Sequence, residues 1–211
     1  MLKPPKIGLV IGKRGSGKTT LAKEILKNNE RFIVYDVNFE YSAKELRAVP
    51  VYFFNDLKLL LQKNEPRIVF KPRRAVGATF EFFCATIWLY ATNYLLVISE
   101  FDSVVNKAGN YFFDLVHRGR HKNLGMLGDA RRPFGIPRIY LTQLDILFIG
   151  LMKPVPEDFR YLREFLPKEA SEKLATIERF KFLRWVDEPE QFGVNESVRV
   201  VENKVPFYNP K

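Results

Sequence analysis

The stretch "IGKRGSGKTT" at residues 11–20 decides how this chain is read. It follows the apolar run Ile7-Gly8-Leu9-Val10-Ile11 and precedes the helix-forming run that begins at Lys18. Gly12-Lys13-Arg14-Gly15-Ser16-Gly17-Lys18-Thr19 matches G-x-x-x-x-G-K-[ST] in the strand-then-helix context that gives the match meaning. Gly12, Gly15 and Gly17 permit backbone angles closed to larger residues, so successive N–H groups can converge on a phosphate at a helix N-terminus. Lys18 would neutralise the β/γ oxygens, and the Thr19 hydroxyl would bind Mg²⁺. The expected contact set for ATP therefore comprises Gly12, Lys13, Arg14, Gly15, Ser16, Gly17, Lys18, Thr19 and Thr20.

The 211 residues, 46% hydrophobic and 27% charged, fit a single domain able to bury roughly 70% of its unfolded surface. We expect one ATPase domain over residues 1–205 and a loose tail, "VPFYNPK", whose last residues 206–211 lie outside it. Lys and Arg number 34 against 24 acids, a formal charge of +10 that favours a polyanionic partner or a membrane surface over an acidic one. The single cysteine, Cys84, lies in the apolar stretch "FEFFCATIWLY" and reads as a buried thiol in a reducing compartment. The apolar runs are broken well short of 18 residues and "MLKPPK" lacks a hydrophobic signal core, so the expectation is a soluble protein without stable membrane insertion.

Short β-rich runs alternate with helical segments, the pattern of a mainly parallel α/β sheet with helices on both faces. Strands are predicted at 7–11, 32–36, 67–71, 94–99, 124–129 and 138–141, with added strands near the C-terminus at 180–186 and 197–201. Helices are predicted at 18–28, 55–62, 79–92 and 109–118, then as a later pair at 157–166 and 168–178.

A phosphate loop needs a carboxylate on a neighbouring strand to organise the metal and the attacking water. "YLLVISEFDS" at 94–103 supplies Glu100 to polarise water, but places Ser99 where an Asp usually stands. Either Ser99 reaches Mg²⁺ through a water, or Asp102 partly replaces the missing charge. A second acidic strand end, Asp36 in "FIVYDVNFEY", is expected at the same carboxyl edge of the sheet, where ligands of such folds bind, although taken alone it also reads as a turn residue.

With these motifs in order, the chain resembles the FtsK–HerA superfamily of DNA-translocating ATPases, most closely its small viral genome-packaging members, over nearly its whole length. Asp36-Val37-Asn38-Phe39-Glu40-Tyr41 is similar to that family's D-x-x-x-E-Y second-strand motif, without its usual Lys-Gly pair. "RGRHKNLGMLGDARRPFGIPRIYLTQLD" at 118–145 is similar to its basic loop, strand, Arg-Pro, strand and Gln-x-Asp succession, and "PEDFRYLREFL" and "RFKFLRW" resemble its closing helix and strand. Arg131 stands where the family commonly carries a γ-phosphate-sensing Gln, for which Gln143 is a possible substitute. The resemblance implies a RecA-like P-loop ATPase using ATP and Mg²⁺ and acting as a homo-oligomeric ring, hexamer or pentamer, on double-stranded DNA. A capsid or portal-vertex protein is the implied further partner, and host cytoplasm or the virion the implied location. An arginine from a neighbouring subunit would stabilise the transition state, with Arg120 preferred and Arg118 next.

Charge placement agrees with a polyanionic partner. Residues 117–138 carry Arg118, Arg120, Lys122, Arg131, Arg132 and Arg138 against Asp129 alone, half the formal net charge in one short region. A second cluster contains Arg67, Lys71, Arg73 and Arg74. Such loops suit a DNA backbone, a neighbour's γ-phosphate or plain solvated surface. His117 and His121 lack metal-ligand spacing, and Phe207 or Tyr208 are weak candidates for stacking on adenine. Two rival readings stand: an assembly or secretion ATPase of the same superfamily acting on protein, and a small-molecule phosphotransferase.

Overall fold

The computed structural model describes residues 6–73, 77–153, 155–164, 166–188 and 198–202. Arg74, Phe207, Tyr208 and the expected tail lie outside them. The elements, in chain order, are β1 (Ile7–Ile11), α1 (Lys18–Lys27), β2 (Phe32–Tyr35), α2 (Ala43–Leu46), β3 (Val49–Val51), α3 (Phe54–Gln62), β4 (Arg67–Phe70), α4 (Gly77–Tyr90), β5 (Tyr94–Ile98), α5 (Phe101–Val104), α6 (Asn110–Arg118), β6 (Leu124–Ala130), α7 (Arg138–Leu141), β7 (Ile146–Ile149), α8 (Pro156–Arg163), α9 (Lys168–Lys173), β8 (Lys181–Val186) and β9 (Val198–Glu202). The nine strands among the described residues form one sheet in the order β3-β4-β2-β5-β6-β1-β7-β8-β9. From β3 to β7 every pairing is parallel, and the added C-terminal strands β8 and β9 extend the sheet antiparallel.

Alternation along each strand builds two cores. Leu9, Ile11, Ile33 and Tyr35 point to one face, where α3, α4, α5 and α6 pack. Val10, Phe32, Val34, Val97 and Leu127 point to the other, covered by Leu21, Ile25 and Leu26 of α1 and Leu46 of α2. Cys84 is buried in the first core, and burial holds its thiol well above the usual range, consistent with an inert packing residue.

One element differs in kind from expectation. Arg138–Leu141 is a short helix, not a strand; the strand beside β1 is Ile146–Ile149. Pro137 (φ −56°) caps the helix, and Tyr140 is drawn under the sheet, where its hydroxyl donates to the Gly8 carbonyl at 2.6 Å. The β-prone Ile-Tyr-Leu run is thus spent on packing below β1, and the wholly buried Ile-Leu-Phe-Ile takes the place in the sheet. Strand β3 and helix α2 went unforeseen. Val49-Pro50-Val51 is tolerated as a strand because it lies at the sheet edge, where the missing proline N–H leaves no ladder bond broken.

Candidate active site

The connection from β1 to α1 lies at the carboxyl edge of the parallel strands. Gly15 (φ +75°) and Gly17 (φ +99°) both adopt the left-handed region that favours glycine. No side chain caps α1, so its first-turn N–H groups have no partner within the helix and point into the cleft. The loop is anchored from behind: the Gly12 N–H donates to the Ala130 carbonyl (3.2 Å) and that of Lys13 to Leu151 (2.8 Å). A Cβ on Gly12 would stand 2.6 Å from the Ser16 hydroxyl, so the first glycine of the motif is required by close approach. Arg14, Gly15, Gly17, Lys18, Thr19 and Thr20 line a cleft of about 660 Å³, within the usual range for small-ligand sites. Gly12, Lys13 and Ser16 form its frame.

Three further segments close on this loop. Glu100 follows β5 in a left-handed conformation (φ 51°, ψ 44°), a costly backbone for a non-glycine residue that brings its carboxylate into the cleft. There its Oε1 accepts from Asn38 Nδ2 at 2.8 Å and from Arg131 Nη2 at 2.7 Å. The 36–41 turn brings Glu40, which accepts the Thr19 hydroxyl proton at 2.8 Å. From the far side, Arg179 Nε donates to the Gly15 carbonyl at 3.1 Å, and its guanidinium lies 4.7 Å from the Phe180 ring centroid. Phe180, itself left-handed (φ 63°) and 47% exposed, offers an apolar ring at the rim of the cleft.

Several expected site residues do different work. Asp36 is fully buried; its two oxygens accept the N–H groups of Glu40 and Tyr41, each at 3.0 Å, and Lys71 lies 3.7 Å away. Burial raises its pKa despite these partners. Asp36 therefore shapes the turn that presents Asn38 and Glu40, and is absent from the cleft lining. Ser99 is 3% exposed and its hydroxyl accepts the Val37 N–H at 3.2 Å, tying β5 to that turn. Burial raises the pKa of Asp102, opposed by the nearby backbone N–H groups of Arg131 and Arg132; its Oδ1 is buried without a hydrogen-bond partner, and the residue is absent from the cleft lining.

Gln143 is corrected outright. It lies just before β7, beside Asp145, whose carboxylate accepts the Ile7 N–H at the start of β1 (2.6 Å). That is the amino edge of the sheet, so Gln143 cannot sense a phosphate held by its own chain. Arg118 and Arg120 lie at this same edge, in the segment leading into β6: the Asn93 N–H, just before β5, donates to the Lys122 carbonyl at 3.0 Å. The Arg118 guanidinium sits 5.2 Å from the Trp88 ring, with Asp114 at 3.4 Å. Neither arginine reaches its own cradle.

Asn38, Glu40, Asp129, Arg131, Arg179 and Phe180 complete the cleft. Of these, Asp129 had a legible signal, since it is the acid near the end of the buried strand Leu124–Ala130, as Asp36 is the acid just after β2. It is 5% exposed and its Oδ1 lies 3.8 Å from Lys18 Nζ. Burial pushes its pKa up to about 7, against the pull of Lys18.

The residues fit Mg²⁺ and a nucleoside triphosphate. Unpartnered helix N–H groups and Lys18 face the cleft, Thr19 directs its proton to Glu40 and so leaves lone pairs outward, and the buried Ser16 hydroxyl has no protein partner. Among the described residues there is no group of three or more His, Cys, Asp or Glu that could hold a metal ion.

Strand order, phosphate loop and acidic strand end together define a RecA-like P-loop NTPase fold. No family model matches the chain, and no curated protein does. Solved structures do. B204, the DNA-packaging ATPase of Sulfolobus turreted icosahedral virus, superposes with a TM-score of 0.72 at 19% identity, covering 94% of this chain and 98% of that one. The genome-packaging NTPase B204 of Sulfolobus turreted icosahedral virus 2, in complex with ATP-gammaS, gives 0.73 at 18%, again over 94% and 98%. VirB4 of Thermoanaerobacter pseudethanolicus gives 0.59 at 12%, over 85% and 86%. At these identities the likeness establishes the fold, which is the one the FtsK–HerA resemblance implied.

Proposed function

We propose that this chain is an Mg²⁺-dependent ATPase that drives double-stranded DNA into a viral capsid, working as a ring of identical subunits in the host cytoplasm or on the virion. The observation that carries the reading is one cleft in which Lys18 and Thr19 meet Glu100, on a fold that matches DNA-packaging ATPases end to end. Lys18 and the α1 N-terminus bind the triphosphate, and bound Mg²⁺ supplies charge neutralisation at its oxygens. Glu100 orients and deprotonates the attacking water once it is released from Arg131. Phe180 borders the cleft as a stacking surface for the base.

Among the described residues no helix is long and apolar enough to cross a membrane. Arg131 and Arg132 are engaged with Glu100 and Asp158, at 2.7 and 2.8 Å, which leaves the exposed Arg120 and its loop as the better candidates for an external polyanion. Duplex DNA is expected to stimulate ATP turnover at low salt, with the stimulation fading at moderate salt because phosphate contacts release counterions. Turnover indifferent to DNA but raised by a soluble phosphate acceptor would support a phosphotransferase instead; indifference to both would favour the secretion-type reading.

Because Arg120 lies away from its own cradle, any catalytic role for it is in trans. Arg120→Ala and Lys18→Ala chains, each inactive alone, are then expected to recover ATPase activity on mixing, since some subunit boundaries combine a sound loop with a sound arginine. No recovery between chains shown to exchange subunits removes Arg120 as the finger.

A further inference from the structure

Ser99 occupies the position where a P-loop strand normally ends in a metal-organising carboxylate; its hydroxyl, which accepts the Val37 N–H, carries no negative charge to offer a cation. The charge is present one strand over. In the β5–β6 register Ile98 is opposite Gly128, so the next pair in line is Ser99 and Asp129. Val97 and Leu127, two residues earlier, both pack in the core on the α1 side, so Ser99 and Asp129 project to that same face. Neighbouring strands lie about 4.8 Å apart. β6 also adjoins β1, with Asp129 opposite Val10, so the shift carries the carboxylate toward the phosphate loop.

Resting on the ATPase reading, we infer that Asp129 replaces the missing β5 aspartate as the carboxylate that organises the nucleotide-bound divalent cation. Asp129 is 5% exposed and lines the cleft, with Lys18 as its close cation at 3.8 Å. When Lys18 turns to the phosphates of an incoming nucleotide, this buried carboxylate loses its counter-charge. An unpaired buried charge is strongly unfavourable, and the cation arriving with the nucleotide is the replacement. Of the other acids near the site, Glu40 takes the Thr19 proton and Glu100 is held by Asn38 and Arg131, while Asp102 lies outside the cleft lining.

The test moves the charge between the two strands. Mn²⁺ affinity is measured by electron paramagnetic resonance in the presence of ATPγS, for the wild type, Asp129→Asn, Asp129→Ser and Ser99→Asp/Asp129→Asn, with folding checked by circular dichroism. Both single variants are expected to lose roughly 10–100-fold in Mn²⁺ affinity, the range for groups that orient a metal's first shell. Ser99→Asp is expected to restore much of it, which a packing role for Asp129 would not produce. Undiminished Mn²⁺ affinity in the folded Asp129 variants, with wild-type ATPase intact, overturns this inference alone. So does a folded double variant without recovery. A wild type that binds no ATPγS overturns the ATPase reading and this inference with it.

Discussion

Lys18→Ala is expected to yield a folded protein that no longer hydrolyses ATP and binds it far more weakly. Lys18 stands in the first turn of α1 with its ammonium 3.8 Å from Asp129 and 3.4 Å from the Lys13 carbonyl. Backbone N–H dipoles cradle phosphate oxygens but cannot follow the charge that shifts between the β and γ positions; a mobile ammonium can. The fold itself loses little. Buried Leu21, Ala22, Ile25 and Leu26 hold α1 against the sheet without help from Lys18. Circular dichroism and thermal unfolding check the fold, and phosphate release checks turnover. A folded Lys18→Ala protein with wild-type turnover would make the loop an ornament of the fold.

The parts of this molecule that local chemistry decides were legible in the sequence. The phosphate loop is written in contiguous residues with fixed glycine roles, and β2, β4 and β5 are short apolar runs between turn signals. Where neighbours in space decide, sequence reading faltered. Arg138–Leu141 has strand-like composition, yet Tyr140 is drawn under β1 by the Gly8 carbonyl and Ile146–Ile149 takes the sheet position. Asp36 looked like a ligand-binding strand end, but its oxygens are saturated by the backbone of its own turn. Motif order alone says nothing of which sheet edge Gln143 occupies; that depends on β7, which starts three residues later and runs parallel to β1. Asp129 carried the same signal as Asp36, an acid at the end of a buried run, and only strand order separates them. β6 lies between the acidic strand and the loop strand, whereas β2 lies beyond β5.

Glu100→Gln is expected to retain ATP while slowing turnover by roughly 10²–10⁴-fold, the effect of losing a general base. The substitution keeps size and the ability to accept one hydrogen bond from Asn38 or Arg131, so the strained turn at φ 51° should survive it. What disappears is the negative charge that must take a proton from water. Arg131 pairs with that charge at 2.7 Å while its guanidinium stays half exposed, so the pair can open without baring a deeply buried cation. Arg131→Ala then separates two roles for the contact. If the arginine only restrains Glu100, its removal raises basal turnover and leaves Glu100→Gln dead in the double variant; if it also steadies the γ-phosphate, turnover falls. Asp102→Asn serves as the control carboxylate, because Asp102 lies two residues on from Glu100 but outside the cleft lining. Loss of activity in Asp102→Asn alongside a fully active Glu100→Gln would transfer the base to Asp102, and would recast Glu100 as the residue whose pairing with Arg131 sets the shape of the 131–132 loop.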